Sequence, residues 1–213
     1  AFERLAGLPY ILFLDSAAAD DDAEGCHSYL AACPFEALRT SGRTTEILKS
    51  TGSEVENVSY EISGREGGDP FELLRLRLES WRAPQVAGLQ PFQGGAAGLF
   101  GYGLAHRIEN IPRSRHDEFE VPDMVIGLYD WVLAWDHGSE TCRIISHGFP
   151  AEAAQRQRRA AERIRKVKKL LLKTTGTRAR EGESMPPLSR GELAETWDVP
   201  EFPGMLSNFS RDD

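Results

Sequence analysis

The segment 121–149 reads VPDMVIGLYDWVLAWDHGSETCRIISHGF. It is a long run of β-favouring residues, then the turn signal DHGSE, then a second apolar run. Such a pattern predicts a strand that turns back on itself as a hairpin. Much of the first 65 residues has the same character. Leu8–Leu14 (LPYILFL) is long enough for a buried strand and short for a helix. SYLAACPFEALRT resumes a strand, with Pro34 arguing for a bulge or an edge. Ser41-Gly42 marks a turn, TTEILKS the returning strand, and VENVSYEISG continues the β pattern. These strands are not interleaved regularly with helices, which favours an antiparallel α+β arrangement over a doubly wound sheet. The fold class expected is α+β: mostly antiparallel β-sheets, sandwich-like, with a few flanking helices.

Two helices stand out. DPFELLRLRLESWR carries Asp69 as N-cap, Pro70 at the first helical position and Glu72 at the third, a capping-box arrangement. Its expected buried stripe is Phe71, Leu74, Leu78 and Trp81. The second helix is basic. From Ala151 to Lys173 there are nine Lys/Arg and two Glu, so this segment carries +7 of a net −8 and the rest carries −15. Its expected apolar face is Ala153, Ala160, Ile164, Val167 and Leu171, with Gly176 as terminator. The basic surface is either a solvated face or a docking surface for an acidic partner.

The window Pro91–Leu104, PFQGGAAGLFGYGL, holds five glycines. A dinucleotide fingerprint needs G-x-G-x-x-G, and here the order is reversed. A P-loop needs a lysine, and the window has none. The glycines are therefore read as steric: they permit close approach and positive φ. Phe100 and Tyr102 are expected on one strand face, with Leu99, Gly101 and Gly103 on the other, nearly bare one. Such a face invites a packed helix, a second sheet or a small ligand.

The acidic net charge disfavours nucleic acid and anionic membrane surfaces. No apolar run approaches the ~20 residues of a membrane span, and the start shows no signal-peptide pattern. Cys26, Cys33 and Cys142 form an odd set with no zinc spacing, read as reduced thiols of a cytoplasmic protein. The scattered histidines give no metal pattern. From Thr174 the chain turns polar and gathers four prolines, as a linker would.

Four segments, in order, resemble one family. FLDS, GCHSYLAACPF, PFQGGAAGLFGYGL and LYDWVLAWDH are similar to motifs of component I of the chorismate-utilising synthases, the aminodeoxychorismate and anthranilate synthases. The closing SNFSRDD resembles the opening of that family's C-terminal, chorismate-binding domain. LYDWVLAWDH, IISHGFP and the Arg-rich helix look closer to the aminodeoxychorismate branch. The resemblance implies an N-terminal domain over 1–173, a polar linker over 174–204, and the start of the C-terminal domain over 205–213. It implies amination of chorismate to 4-amino-4-deoxychorismate, a precursor of 4-aminobenzoate and folate. It further implies a glutamine amidotransferase subunit or domain as partner, and Mg²⁺ in the full-length enzyme.

The family's catalytic and metal-binding groups belong to the C-terminal domain. No residue here matches them, so no cofactor is expected in this segment and the segment alone is expected to be inactive. What carries over is a tryptophan site: Leu14, Asp15 and Ser16 at the first strand end, with Ser28 and Tyr29 of the SYL motif. Asp15 would accept the ammonium, Ser16 would meet the carboxylate, and Leu14 with Tyr29 would hold the indole. The bland alternative is that Asp15-Ser16 ends a strand and caps a turn. The chain departs from the family at Gly103, where an acid is usual, at Cys26-His27, and at Ala32-Cys33-Pro34. Two further readings stand beside the first: an anthranilate synthase component I with a feedback site, and a stand-alone amino-acid-binding or subunit-docking module.

Overall fold

The computed structural model describes residues 1–16, 26–52, 55, 58–111, 121–173, 197, 198, 203, 204, 206 and 207. The chain divides into two units, Ala1–Lys173 and Thr174–Asp213. In the first unit the order is α1 (Phe2–Leu5), β1 (Leu12–Leu14), β2 (His27–Ala31), β3 (Glu36–Ser41), β4 (Thr44–Thr51) and β5 (Ser59–Gly67). It continues with α2 (Pro70–Ser80), β6 (Gly95–Phe100), a 3-10 helix (Tyr102–Arg107), β7 (Met124–Tyr129), β8 (Trp131–Asp136), β9 (Thr141–Ser146) and α3 (Ala153–Leu172). Two sheets result, ordered β1-β2-β8-β9 and β5-β4-β3-β7-β6, and every pairing in them is antiparallel. The class is α+β, as the pattern of strands required.

The chain passes between the sheets twice. Ala32–Phe35 carries it from β2 to β3, and Asp130 alone separates β7 from β8. SYLAACPFEALRT is thus two strands of different sheets, and Pro34 lies in the corner between them rather than at a bulge or edge. Cys33 takes a positive φ of 51° there. The long run of 121–136 is likewise two strands, since a single strand could not serve both sheets.

Alternation along β8 explains the packing. Trp131, Leu133 and Trp135 face one way, with Leu30, Val55 and the α3 residues Val167 and Leu170. Val132 and Ala134 face the other, with Ala31, Tyr129, Ile145 and, from β6, Ala97. A strand buried on both faces reads as a continuous apolar run. In the second sheet, Leu38, Ile47, Met124, Ile126 and Leu128 pack against Leu73 and Leu74 of α2.

Several local expectations change. β1 is only three residues long, because Tyr10 has a φ of 51° and breaks the run of 8–14. Asp69 does cap α2, accepting from the Phe71 amide at 3.0 Å. Glu72 does not complete a capping box; it grips Arg75 at 2.8 and 2.6 Å. The buried residues of α2 are Pro70, Leu73 and Leu74. Trp81 packs on the core, but Phe71 and Leu78 are exposed. Phe71 instead stacks on Phe100, their rings nearly parallel with centroids 6.1 Å apart.

On α3 the buried face is Arg163, Val167 and Leu170, so Ile164 and Leu171 are only partly covered and an arginine enters the stripe. The helix ends at Leu172; Gly176 lies outside the described residues. Phe100 and Tyr102 do not share a strand face: β6 stops at Phe100 and Tyr102 begins the 3-10 helix, 89% exposed. Gly98 has a φ of 153°, and a Cβ there would overlap the Val125 carbonyl oxygen of β7. The steric reading of the glycines holds at this position.

The second unit contains an antiparallel pair, β10 (Trp197–Asp198) with β11 (Leu206–Ser207). Most of the expected linker and of the expected start of a further domain lies outside the described residues.

Candidate functional site

β1 and β2 pair so that Leu14 stands opposite Tyr29. Beyond that pair the chain of β1 ends and Asp15 and Ser16 follow. Ser28, one residue before Tyr29, points to the opposite face and is buried. Its hydroxyl donates to Asp15 Oδ1 at 2.6 Å and accepts the Ser16 backbone N–H at 3.2 Å. A third partner comes from the end of β8: His137 Nε2 lies 2.7 Å from Ser28 Oγ.

A serine hydroxyl has one proton and two acceptor lone pairs. With its proton given to Asp15, Ser28 can only accept from His137. The network therefore assigns the Nε2–H tautomer or the imidazolium to His137. Ser28 is saturated by these three bonds and acts as an orienting post. Asp15 makes no other hydrogen bond among the described residues. Its second oxygen is exposed and has no hydrogen-bond partner among the described residues.

His137 is fixed from behind, because its backbone N–H donates to Cys26 O at 2.7 Å. Beside it, Asp136 accepts from the Ser139 backbone N–H at 2.9 Å, which holds its carboxyl below the usual carboxylate range. His27 Nε2 is 3.9 Å from Asp136 Oδ2 and helps in the same direction.

The structure thus brings Asp15, Ser16 and Ser28 together, and places Leu14 and Tyr29 as a cross-strand pair on the other face. Leu14 is 47% exposed, and Tyr29 sets its ring edge-on to Phe92 with centroids 5.6 Å apart. His137 was absent from the sequence expectation. Nothing local announces it: it sits in a turn signal 109 residues from Ser28, and only the β2–β8 pairing brings it there. Gly103, the departure from the family acid, lies elsewhere, where a Cβ would overlap the Asp123 carboxylate. That carboxylate instead accepts from the Gly42 amide at 2.8 Å.

A second polar feature lies inside the molecule. Asp130, fully buried at the crossover from β7 to β8, meets Arg163 of α3 with Nε to Oδ2 at 3.4 Å. Burial raises the Asp130 pKa, and the Arg163 charge works against that rise. Nearby, burial pushes the Cys33 thiol up to about 11. Among the described residues no group of three His, Cys, Asp or Glu could hold a metal ion. No described helix is long and apolar enough to cross a membrane.

Comparison with known proteins shows what the chain as a whole is similar to. No protein-family model matches the chain. It is 35% identical over 154 residues to aminodeoxychorismate synthase component 1 of Escherichia coli (strain K12), over 68% of this chain and 30% of that protein. It is 35% identical over 81 residues to anthranilate synthase component 1 of Mycolicibacterium smegmatis, over 38% of this chain and 16% of that protein. A solved anthranilate synthase component I from Streptococcus pneumoniae TIGR4 aligns with TM-score 0.44 and 18% identity, over 73% of this chain and 33% of that one. The chain is a homologue of the component I synthases that use chorismate, the family of aminodeoxychorismate synthase and anthranilate synthase component I. It spans less than a third of the length of these two curated relatives.

Proposed function

We propose that this chain is the N-terminal, non-catalytic part of an aminodeoxychorismate synthase component I. The observation that carries the reading is the 154-residue match to the Escherichia coli protein, which covers most of this chain but only 30% of its relative. The whole enzyme would aminate chorismate to 4-amino-4-deoxychorismate in the cytoplasm. A glutamine amidotransferase would supply ammonia, and Mg²⁺ would be held by the chorismate-binding domain. The anthranilate match is shorter, and it keeps that branch as the second reading.

Within this reading, the Asp15 end of β1 is an amino-acid site for tryptophan. The free Asp15 oxygen takes the ammonium and Ser28 and His137 hold Asp15 in place; Leu14 and Tyr29, on the opposite face of the strand pair, do not wall this side of it. Two experiments test the proposal. The polypeptide extended with a component I catalytic domain, given chorismate, ammonia and Mg²⁺, is expected to form 4-amino-4-deoxychorismate, while the 213-residue chain forms none. Turnover by the short chain overturns the non-catalytic assignment, and anthranilate as product moves the protein to the other branch. Calorimetric titration with tryptophan is expected to give heat that Asp15→Asn abolishes. No heat at millimolar ligand removes the amino-acid site and leaves the synthase reading standing.

A further inference from the structure

The glycine-rich stretch enters β6 along the rim of a cleft that the tryptophan proposal does not use. The cleft has a volume of about 350 Å³ and lies where the end of α2, the start of β6 and the turn after β9 converge. That volume is at the lower end of the range of small-molecule sites.

Its walls are aromatic. Trp81 stands edge-on to both Phe35 and Phe149, with centroids 5.3 and 5.6 Å away. Phe149 is fixed from behind by the Arg156 guanidinium, 4.4 Å from its ring centre. The loop that closes one side is rigid, because Gln93 bonds both the amide and the carbonyl of Val86 at 2.9 Å. Gly94, with a φ of 134°, forms part of the wall where the chain packs closely. A Cβ there would come within 2.9 Å of the Tyr129 carbonyl and 3.1 Å of the His147 ring.

The polar groups are few and point to one chemistry. Arg82 and His147 both line the cleft. Neither side chain has an ion pair or hydrogen bond among the described residues. The indole N–H of Trp81, buried, has no acceptor. A cation and two N–H donors lacking acceptors, set among three aromatic rings, fit an anion carried on a flat ring. Edge-to-face and stacked contacts favour an aromatic body over an aliphatic one, and an arginine fork matches a carboxylate.

We propose that this cleft binds a small aromatic carboxylate, with its ring against the surface that the packed Phe35, Trp81 and Phe149 rings present to the cleft and its carboxylate on Arg82 and His147. The site is separate from the Asp15 cluster, and the ligand needs no ammonium group. The inference therefore stands or falls independently of the tryptophan site.

The test is titration of the 213-residue chain with benzoate, followed by calorimetry and by quenching of tryptophan fluorescence. Benzamide serves as the uncharged control and cyclohexanecarboxylate as the non-aromatic one. Saturable benzoate binding is expected, with each control weaker by about tenfold, the loss of one charge-assisted hydrogen bond or of the ring contacts. Arg82 is exposed, so Arg82→Met leaves the fold intact; it should weaken benzoate about tenfold and leave benzamide unchanged. Asp15→Asn should bind benzoate like the parent. No saturation up to on the order of 10 mM benzoate, equal binding of cyclohexanecarboxylate, or an Arg82→Met chain that binds benzoate as before overturns the proposal.

Discussion

Two polar features of this molecule, one buried and one at a strand end, differ in their access to solvent. Asp130 and Arg163 meet at the crossover between sheets, sealed from solvent by Cys33, α3 and the β8 face. Asp15, Ser28 and His137 meet at a strand end, where the network is complete at Ser28 but leaves an Asp15 oxygen unused. The sealed pair joins the β7–β8 crossover to α3 through a single contact, and it leaves Asp130 Oδ1 and Arg163 Nη1 buried without hydrogen-bond partners. An open cluster with one spare acceptor can exchange water for a ligand at little cost. The difference is one of access: the unpartnered atoms of the sealed pair are closed to solvent, whereas the spare Asp15 oxygen is exposed and within reach of water or a ligand.

The strongest way to break this comparison is to remove one member of the sealed pair. Arg163→Met strands the Asp130 carboxyl in the interior and is expected to cost about 3–5 kcal/mol, read as a shift of the urea midpoint. Adding Asp130→Leu should recover most of that loss. A single mutant as stable as the parent would show that the pair is not structural.

Next in size is Gly98→Ala. The added Cβ meets the β7 backbone at a φ no alanine favours, so a loss of roughly 1–3 kcal/mol is expected, again by denaturation. In the open cluster, Ser28→Ala should cost only about 1–2 kcal/mol, because solvent can replace its bonds to Asp15 and His137. It should nevertheless weaken tryptophan binding by loosening Asp15. Equal losses for Ser28→Ala and Arg163→Met would erase the distinction.

The last effect is a pH dependence, small near neutrality and growing only at alkaline pH. Cys33, Tyr60 and Tyr129 all have pKa values raised by burial. A group raised on folding stabilises fully below its unfolded pKa and loses that contribution as pH rises through its folded value. The melting temperature should therefore fall as pH climbs above about 9, and the fall should be shallower in Cys33→Ala. A flat alkaline profile would mean that the junction admits water.

Much of the fold was legible in the residues. Strand-length apolar runs and the turns at Ser41-Gly42 and DHGSE specified antiparallel hairpins, which form as β3–β4 and β8–β9. Asp69 and Pro70 specified the start of α2. What local sequence carried poorly was the direction of each face. Phe71 and Leu78 had the spacing of a core stripe, yet Phe71 found a partner in Phe100 at the surface. Arg163 read as one more basic residue on a charged helix.

The sequence alone determined the class of fold, the places where strands turn, and the resemblance to component I synthases, because these rest on spacing and on residue types along the chain. The tertiary structure decided that 121–136 breaks at Asp130, that Arg163 is an interior residue, and that His137 completes a cluster with Asp15 and Ser28. It also decided that Gly94 packs closely against Tyr129 and His147 in the wall of a cleft beside three packed aromatic rings. Each of these depends on partners brought together from distant parts of the chain, and no local pattern encodes which partner a buried charge or an open acceptor will meet.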